Sequence, residues 1–229
     1  MQGIMLNNKY GLESASIGEN PTKTQTRRIF TKALIDEYFE KYWQSASLDV
    51  TPISMTDYLM QHTRYKVGEI IAVKQSVETM IGELQNPNFA CNYEHYEQRC
   101  DKARALLEKY GTMSPAFTNK MFVANEDCIH FLKIIDVRIQ HLQDISNEDC
   151  VCEGIYKDLE GGRTIGYPFG IPFYYTFVGA LSKQTKKQLY WTTAKEAYSV
   201  LIDTISGKGT WESNPWAAAY TYKQAIYNK

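Results

Sequence analysis

Apolar positions follow helical spacing in two well-separated parts of the chain. Behind Thr31, apolar side chains recur every three or four residues at Leu34, Ile35, Tyr38, Phe39 and Tyr42. Thr193 and Glu196 have the spacing of a capping box, and an apolar series follows them as far as Gly207. Because Thr is a common N-cap and Gly a common helix terminator, the pattern predicts one helix after Thr31 and another after Thr193.

Strict alternation predicts the longest strand, at residues 129–142. One face of that strand would carry Phe131, Lys133, Ile135, Val137 and Ile139. A turn at Gly68 before the β-branched run 70–73 predicts a buried strand, and residues 4–6 and 216–222 are also predicted as strands.

Helices and a long loop are predicted between these strands. Residues 92–110 are highly charged, which favours an exposed helix, and Ser146 with Asp149 predicts a short capped helix. Residues 161–181 are rich in Gly, Pro and aromatic side chains without a period, so we expect a loop with at most short strands. The order of elements predicts an α+β fold.

Composition narrows the class of protein. The 229 residues are 44% hydrophobic with a formal net charge of −1, and no apolar run approaches the length of a membrane helix. The first residues lack a signal-peptide pattern, so we expect neither secretion nor membrane insertion. The five cysteines have no CxxC pair, which predicts reduced thiols in the cytoplasm. With no positive excess, any contact with a polyanion has to be local.

A basic cluster, Lys23-Thr24-Gln25-Thr26-Arg27-Arg28, is the densest polar signal. Two adjacent guanidinium groups suit bidentate contact with phosphate or carboxylate, and the same sequence is also compatible with a solvated strand end.

The acidic segment 142–155 is the second polar signal. Helix capping accounts for Asp144, Ser146 and Asp149 as groups that satisfy the backbone. Glu153 has no such role and no lysine partner one turn back, so it is either a surface residue or a functional carboxylate.

Other polar and aromatic signals are weaker. Trp211 and Trp216 bracket Asn-Pro, which indicates a turn into the last strand, with base stacking as the alternative. The four histidines show no ligand spacing, so we predict no metal and no other cofactor.

Five blocks in one order carry a family resemblance. They are KTQTRR at 23–28, YKVGEIIAV at 65–73, NKMFV at 119–123, the segment 135–155, and GKGTWESNPW at 207–216. Together they resemble the ASCH domains of phage and prophage proteins, which share the PUA-like fold. The resemblance implies a single domain over residues 1–229, built as a small mixed β-barrel with flanking helices and insertions at about 84–112 and 156–192.

The resemblance also implies a function. ASCH and PUA-like domains are generally taken to bind RNA or modified nucleobases, so a cleft beside Lys23 would bind such a ligand through Thr24, Arg27 and Arg28. Tyr65, Trp211 and Trp216 are stacking candidates by residue type.

Some small ASCH proteins are amidohydrolases acting on acetylcytidine, and one is reported as a ribonuclease. That similarity implies a catalytic set of Lys23, Thr26 and Glu153, with Thr26 as nucleophile, Lys23 as base and Glu153 as acid. In a regular strand residues three apart point to opposite faces, so Lys23 and Thr26 converge only where the chain bends. A phage-encoded protein that binds a host factor through its insertions is a third hypothesis.

Overall fold

The computed structural model describes residues 1–6, 17, 21–43, 53–86, 95–158, 173–175 and 190–227. The strands are β1 (Gln2–Ile4), β2 (Gln25–Ile29), β3 (Ile70–Val73), β4 (Phe131–His141), β5 (Tyr156–Asp158), β6 (Phe173–Tyr175) and β7 (Trp216–Ala225). The helices are α1 (Lys32–Trp43), α2 (Met55–Gln61), α3 (Val77–Gln85), α4 (Tyr96–Tyr110), α5 (Pro115–Thr118), α6 (Asn147–Cys152), α7 (Ala194–Ser206) and α8 (Thr210–Ser213). Short 3-10 turns occupy Lys120–Phe122, Asn125–Asp127 and Leu142–Asp144.

The main sheet is mixed and five-stranded, in the order β1-β3-β4-β7-β2. β1 pairs with β3 in parallel, whereas the β3/β4 and β2/β7 pairs are antiparallel. β5 and β6 form a separate antiparallel pair. These elements confirm the predicted α+β class.

Two compact units divide the chain. The first contains residues 1–24, 67–135 and 222–229, and the second contains residues 25–66 and 136–221. The single domain that the resemblance implies stays a prediction, and each unit is described below by itself.

The first unit has an apolar core between β3, α3 and α4. Its buried members are Ala72, Val77, Met80, Leu84, Ala103, Leu106, Ala116, Val123, Cys128, Ile129 and Phe131. Tyr227 packs against this core, with its ring 5.0 Å from that of Phe131. The predicted turn is confirmed, because Gly68 has φ +87° and the strand behind it is almost wholly buried.

Helix α4 confirms the predicted helix but corrects its environment. It packs on α3 and buries a stripe formed by Arg99, Ala103 and Leu106, although most of its surface is charged. The buried stripe contains only two apolar residues, Ala103 and Leu106, and charged side chains surround it. The high charge of the segment therefore obscured in the sequence that this helix has one buried face.

Strand β4 is confirmed, and its first half shows which face is buried in the first unit. Leu132 and Ile134 are fully buried, whereas Ile135 is 45% exposed. On the face predicted to carry Phe131, Lys133 and Ile135, Phe131 is buried but Ile135 is exposed, so this face is only partly packed in the core.

The second unit contains the β2/β7 pair together with α1, α2, α6, α7 and α8. The predicted helix behind Thr31 is confirmed as α1, and its Tyr38 packs against Tyr58 of α2 with ring centroids 5.2 Å apart. The predicted capping box of α7 is also confirmed, since Thr193 accepts from the backbone of Glu196 and the Glu196 carboxylate accepts from Thr193.

The turn before β7 follows the predicted architecture. Asn214 adopts a left-handed conformation, its side chain accepts a hydrogen bond of 2.7 Å from the backbone of Gln143, and β7 begins at Trp216. The Trp216 ring packs on His141 at 3.9 Å.

Much of the predicted loop 161–181 and of the insertion 156–192 lies outside the described residues. Within the described part of that region, residues 173–175 form β6. Among the helices that the structure describes, none combines the length and apolar character needed to cross a bilayer.

Candidate functional site

The two faces of β2 have different surroundings. Side chains alternate along a strand, so Gln25 and Arg27 share one face while Thr26 and Arg28 share the other. Gln25 Nε2 donates to Asp149 Oδ1 at 2.9 Å, and Arg27 Nη2 donates to Asp149 Oδ2 at 3.1 Å. The first face of β2 therefore lies against α6, and the basic and acidic segments meet across 122 positions or more.

Arg27 forms the centre of a buried ionic network. Its Nη1 donates to Glu153 Oε1 at 2.9 Å, and the two side chains are 0% and 5% exposed. Asp149 is 16% exposed and also accepts from Arg138 Nη2 at 3.1 Å. The Arg27 guanidinium thus binds two carboxylates, and one of them, Asp149, also pairs with the more exposed Arg138.

Local structure places these carboxylates. Ser146 accepts from the backbone N–H of Asp149 at 3.0 Å and starts α6 as predicted, and Glu153 is the C-cap residue. The six-residue helix and its C-cap therefore present Asp149 and Glu153, one turn apart, to the same strand. The interpretation of Asp149 as only a capping residue was incomplete, because its carboxylate binds Gln25, Arg27 and Arg138.

The electrostatics of the network follow from burial and pairing. Burial lowers the pKa of Arg27, but the charge of Glu153, its hydrogen bond and the charges of Tyr198 and Asp149 together outweigh burial, so the pKa is raised above its ordinary value. For Asp149, burial raises the pKa of the carboxyl group. The Gln25 hydrogen bond and the charges of Arg138 and Arg27 lower it by more, so the net shift of the pKa is downward. Both shifts favour the charged forms of Arg27 and Asp149.

The enclosure of Arg27 changes the role predicted for it. Its guanidinium is closed to solvent and engaged with two carboxylates, so contact with an external phosphate would require the network to open. Its Nε is buried and has no hydrogen-bond partner among the described residues. In this structure Arg27 positions β2 on α6 and does not present a free binding group.

The opposite face of β2 presents Arg28 to solvent. Thr26 faces Tyr220 in the β2/β7 register, and Tyr220 accepts a hydrogen bond of 3.0 Å from the backbone N–H of Arg64. Burial raises the pKa of Tyr220, and the charges of Arg28 and Arg64 partly oppose that shift. Arg28 pairs with Ala218, two residues before Tyr220, so its side chain extends from the sheet face that Tyr220 shares, and Arg64 is held at the Tyr220 hydroxyl by its backbone N–H.

Aromatic rings support this second face. Tyr65 and Tyr220 are each 1% exposed and pack edge-on with centroids 5.2 Å apart. The Arg64 guanidinium carbon lies 5.4 Å from the Tyr65 ring centre. Tyr65 was predicted as a stacking candidate, but its burial makes it a support for Arg64.

The proposed catalytic residues are distributed as follows. Lys23 belongs to the first unit and is 2% exposed, whereas Thr26 and Glu153 belong to the second and are 6% and 4% exposed. Glu153 contacts Arg27, and Thr26 points to the other face of the same regular strand. Alternation therefore places the Thr26 side chain on the face of β2 away from Arg27 and Glu153, and the catalytic set stays a prediction.

Thr24 is half-buried, and its carbonyl accepts a hydrogen bond of 2.9 Å from the backbone of Tyr222 in the first unit. That contact extends the β-type pairing beyond β2.

Sequence reasoning missed Arg64 and Arg138. Arg138 lies in β4, where alternation places it among polar residues without indicating a partner. Arg64 follows α2 and has no flanking motif. Its place near β7 becomes visible only in the structure, where its backbone N–H donates to the Tyr220 hydroxyl. Within the described ranges, no group of three His, Cys, Asp or Glu side chains lies together as a metal site requires.

Comparison of the chain with protein-family models, with curated proteins and with solved structures gave no match in any of the three. The ASCH resemblance therefore stays a prediction based on the five sequence blocks.

Proposed function

We propose that this protein binds RNA or a modified nucleoside through the second face of β2, and that it does so on the PUA-like, ASCH-type small β-barrel that its sequence blocks resemble. The binding surface is defined here as the Arg28/Arg64 face. Its contacts with the ligand come from Arg28 and Arg64, while Arg27 acts through the strand that it anchors.

The observation that carries the proposal is that two exposed arginines are positioned around Tyr220, Arg28 by the β2/β7 register and Arg64 by its backbone hydrogen bond to the Tyr220 hydroxyl. Guanidinium groups bind phosphate oxygens in pairs and stack on bases, which are the two contacts that single-stranded RNA needs. The overall charge of −1 is compatible with this because the contact is confined to one patch.

The buried network supports the proposal indirectly. Arg28 follows Arg27 directly in β2, so the Glu153 and Asp149 contacts of Arg27 fix the backbone from which Arg28 extends. A cation on a rigid strand loses less conformational freedom on binding than one on a loop.

The test is fluorescence anisotropy with a labelled single-stranded RNA of about 12 nucleotides, repeated at several salt concentrations. We expect Arg28→Ala and Arg64→Ala each to weaken binding by about tenfold. Each should also reduce the salt slope by about 0.7, the value for one phosphate contact of a single strand. Arg104→Ala is the matched control, because Arg104 is an exposed arginine of the first unit.

Free nucleosides separate the two ligand classes. Binding of a nucleoside that is lost in Arg64→Ala and insensitive to salt would assign the face to a nucleobase, whereas salt-dependent binding of RNA alone assigns it to the phosphate backbone. Equal RNA affinity in wild type, Arg28→Ala and Arg64→Ala would overturn the proposal. So would release of acetate from acetylcytidine that is abolished by Thr26→Val, since the protein would then be a hydrolase.

A further inference from the structure

A groove of about 410 Å³ lies between α7 and α8 in the second unit. Trp211 of α8 forms its apolar wall, and α7 contributes the facing side chains. The groove, called here the α7–α8 groove, is built from side chains other than those of the Arg28/Arg64 face.

The shape of the groove is fixed by one carboxylate. Asp203 accepts hydrogen bonds from the backbone N–H groups of Gly209 at 3.1 Å and Trp211 at 2.8 Å, one on each oxygen. The Trp211 ring also packs edge-on against buried Tyr198, with centroids 6.1 Å apart. The indole is therefore held from both its backbone and its ring.

The polar groups of the groove are mostly hydrogen-bond acceptors. Ser199 Oγ donates to the carbonyl of Glu196 and Thr204 Oγ1 to that of Val200, both at 2.7 Å. Each hydroxyl has thus used its only hydrogen within its own helix and offers only lone pairs to a ligand. The remaining lone pairs of Asp203 add to this set.

Charge completes the pattern. Glu212 and Lys208 are exposed residues that line the same groove as Asp203. Two carboxylates against one ammonium leave the groove with an excess of negative charge. The preferred ligand is consequently a cation that donates several hydrogen bonds and has a flat face to lie on indole.

We infer that the α7–α8 groove binds an arginine side chain of a partner protein. A guanidinium carries five N–H donors and stacks on tryptophan, so it matches both the acceptors and the wall. A lysine lacks the flat face, and a phosphate would meet carboxylates and acceptor oxygens. The inference does not depend on RNA binding at the Arg28/Arg64 face.

The probe is the peptide acetyl-Gly-Arg-Gly-amide, titrated into the full chain and followed by tryptophan fluorescence and by NMR. Acetyl-Gly-Lys-Gly-amide and the same peptide with citrulline are the matched ligands, since citrulline keeps the shape of arginine and removes its charge. We expect the arginine peptide to bind about fivefold more tightly than the lysine peptide, and the citrulline peptide to bind more weakly still.

Charge variants give effects of opposite sign. Glu212→Gln should weaken binding of the arginine peptide by about fivefold, and Lys208→Ala should strengthen it because a like charge is removed. Trp211→Phe should reduce binding about threefold while keeping the packing on Tyr198. Glu108→Gln, an exposed position on α4 of the first unit, is the matched control and should change nothing.

Three results would overturn the inference. They are equal binding of the arginine and citrulline peptides, tighter binding in Glu212→Gln, and no detectable binding of the arginine peptide at millimolar concentration. Circular dichroism of each variant establishes that it is folded, so a null result is attributed to the groove.

Discussion

Two arginines, one in each unit, are almost equally buried but are satisfied by different partners. Arg99 of the first unit is 7% exposed and Arg27 of the second is 6% exposed. Arg99 donates to the backbone carbonyls of Glu83, Leu84 and Asn86, at 2.8, 3.0 and 2.6 Å. Arg27 instead pairs with the carboxylates of Glu153 and Asp149.

Arg99 therefore caps the C-terminus of α3, whereas Arg27 joins β2 to α6 through ion pairs. The carbonyls at the end of α3 need partners in any fold, so Arg99 fulfils a requirement of the backbone. The carboxylates of Asp149 and Glu153 are instead specific to this sequence, and their ion pairs with Arg27 hold β2 against α6. Removing Arg27 leaves buried carboxylates without their counter-ion, whereas removing Arg99 takes a charged donor from three backbone carbonyls.

The largest effect is expected for Arg27→Met. Loss of the guanidinium leaves the buried Glu153 carboxylate uncompensated, so we expect the free energy of unfolding to fall by about 3–5 kcal/mol in urea denaturation. The double variant Arg27→Met with Glu153→Met should recover much of that loss. A single-variant loss below about 1 kcal/mol would show that the pair is not a determinant of stability.

Arg99→Met should cost less. The three carbonyls at the end of α3 lose a charged donor, for which we expect a decrease of about 1–3 kcal/mol in the free energy of unfolding. Arg104→Met on the exposed face of the same helix is the control, expected to stay within about 0.5 kcal/mol of wild type. A loss for Arg99→Met as large as that for Arg27→Met would remove the distinction between the two arginines.

Acid titration should detect a carboxylate in each unit. Pairing lowers the pKa of Asp149 despite its burial, and the hydrogen bonds from Lys109 and Tyr110 do the same for Asp127 in the first unit. A lowered folded pKa contributes stability above the unfolded value of 3.8, and this contribution is lost as the pH falls through the folded pKa.

Asp149→Asn and Asp127→Asn should each flatten the decline of unfolding free energy between about pH 5 and pH 2. Asp36→Asn on the exposed face of α1 is the control. An unchanged acid profile in Asp149→Asn would contradict its role in the network.

The smallest effects concern thiol reactivity. Burial raises the pKa of Cys150 in the second unit to about 12 and that of Cys128 in the first to about 11. Among the four cysteines that the structure describes, iodoacetamide at about pH 8 should therefore modify half-buried Cys100 and Cys152 first, and Cys128 about tenfold faster than Cys150 from thiolate fraction alone. Mass spectrometry of the labelled peptides measures the order, and early labelling of Cys150 would contradict the burial of that face of α6.

Local sequence signals predicted most elements of the fold. The Thr193/Glu196 capping box, the Gly68 turn and the alternation of β4 each depend on residues a few positions apart, which are visible in one sequence. The stripe on α4 was missed because its apolar members are few among charges.

The candidate site was predicted only in part. Proximity of the basic and acidic segments followed from the family resemblance, but the partner of Glu153 was sought one helical turn away and is Arg27, more than a hundred residues distant. Alternation places Thr26 and Arg27 on opposite faces of β2, but which of the two faces lies against α6 depends on tertiary packing, which spacing alone does not reveal.

The first unit has a consequence for how the chain is made. Tyr227 packs against its core and is translated only after residues 136–221, a delay of roughly 4–17 s at about 5–20 residues per second. During that interval the ring of Phe131 lacks its partner. This part of the core surface therefore stays accessible to chaperones and proteases until the second unit has been synthesised.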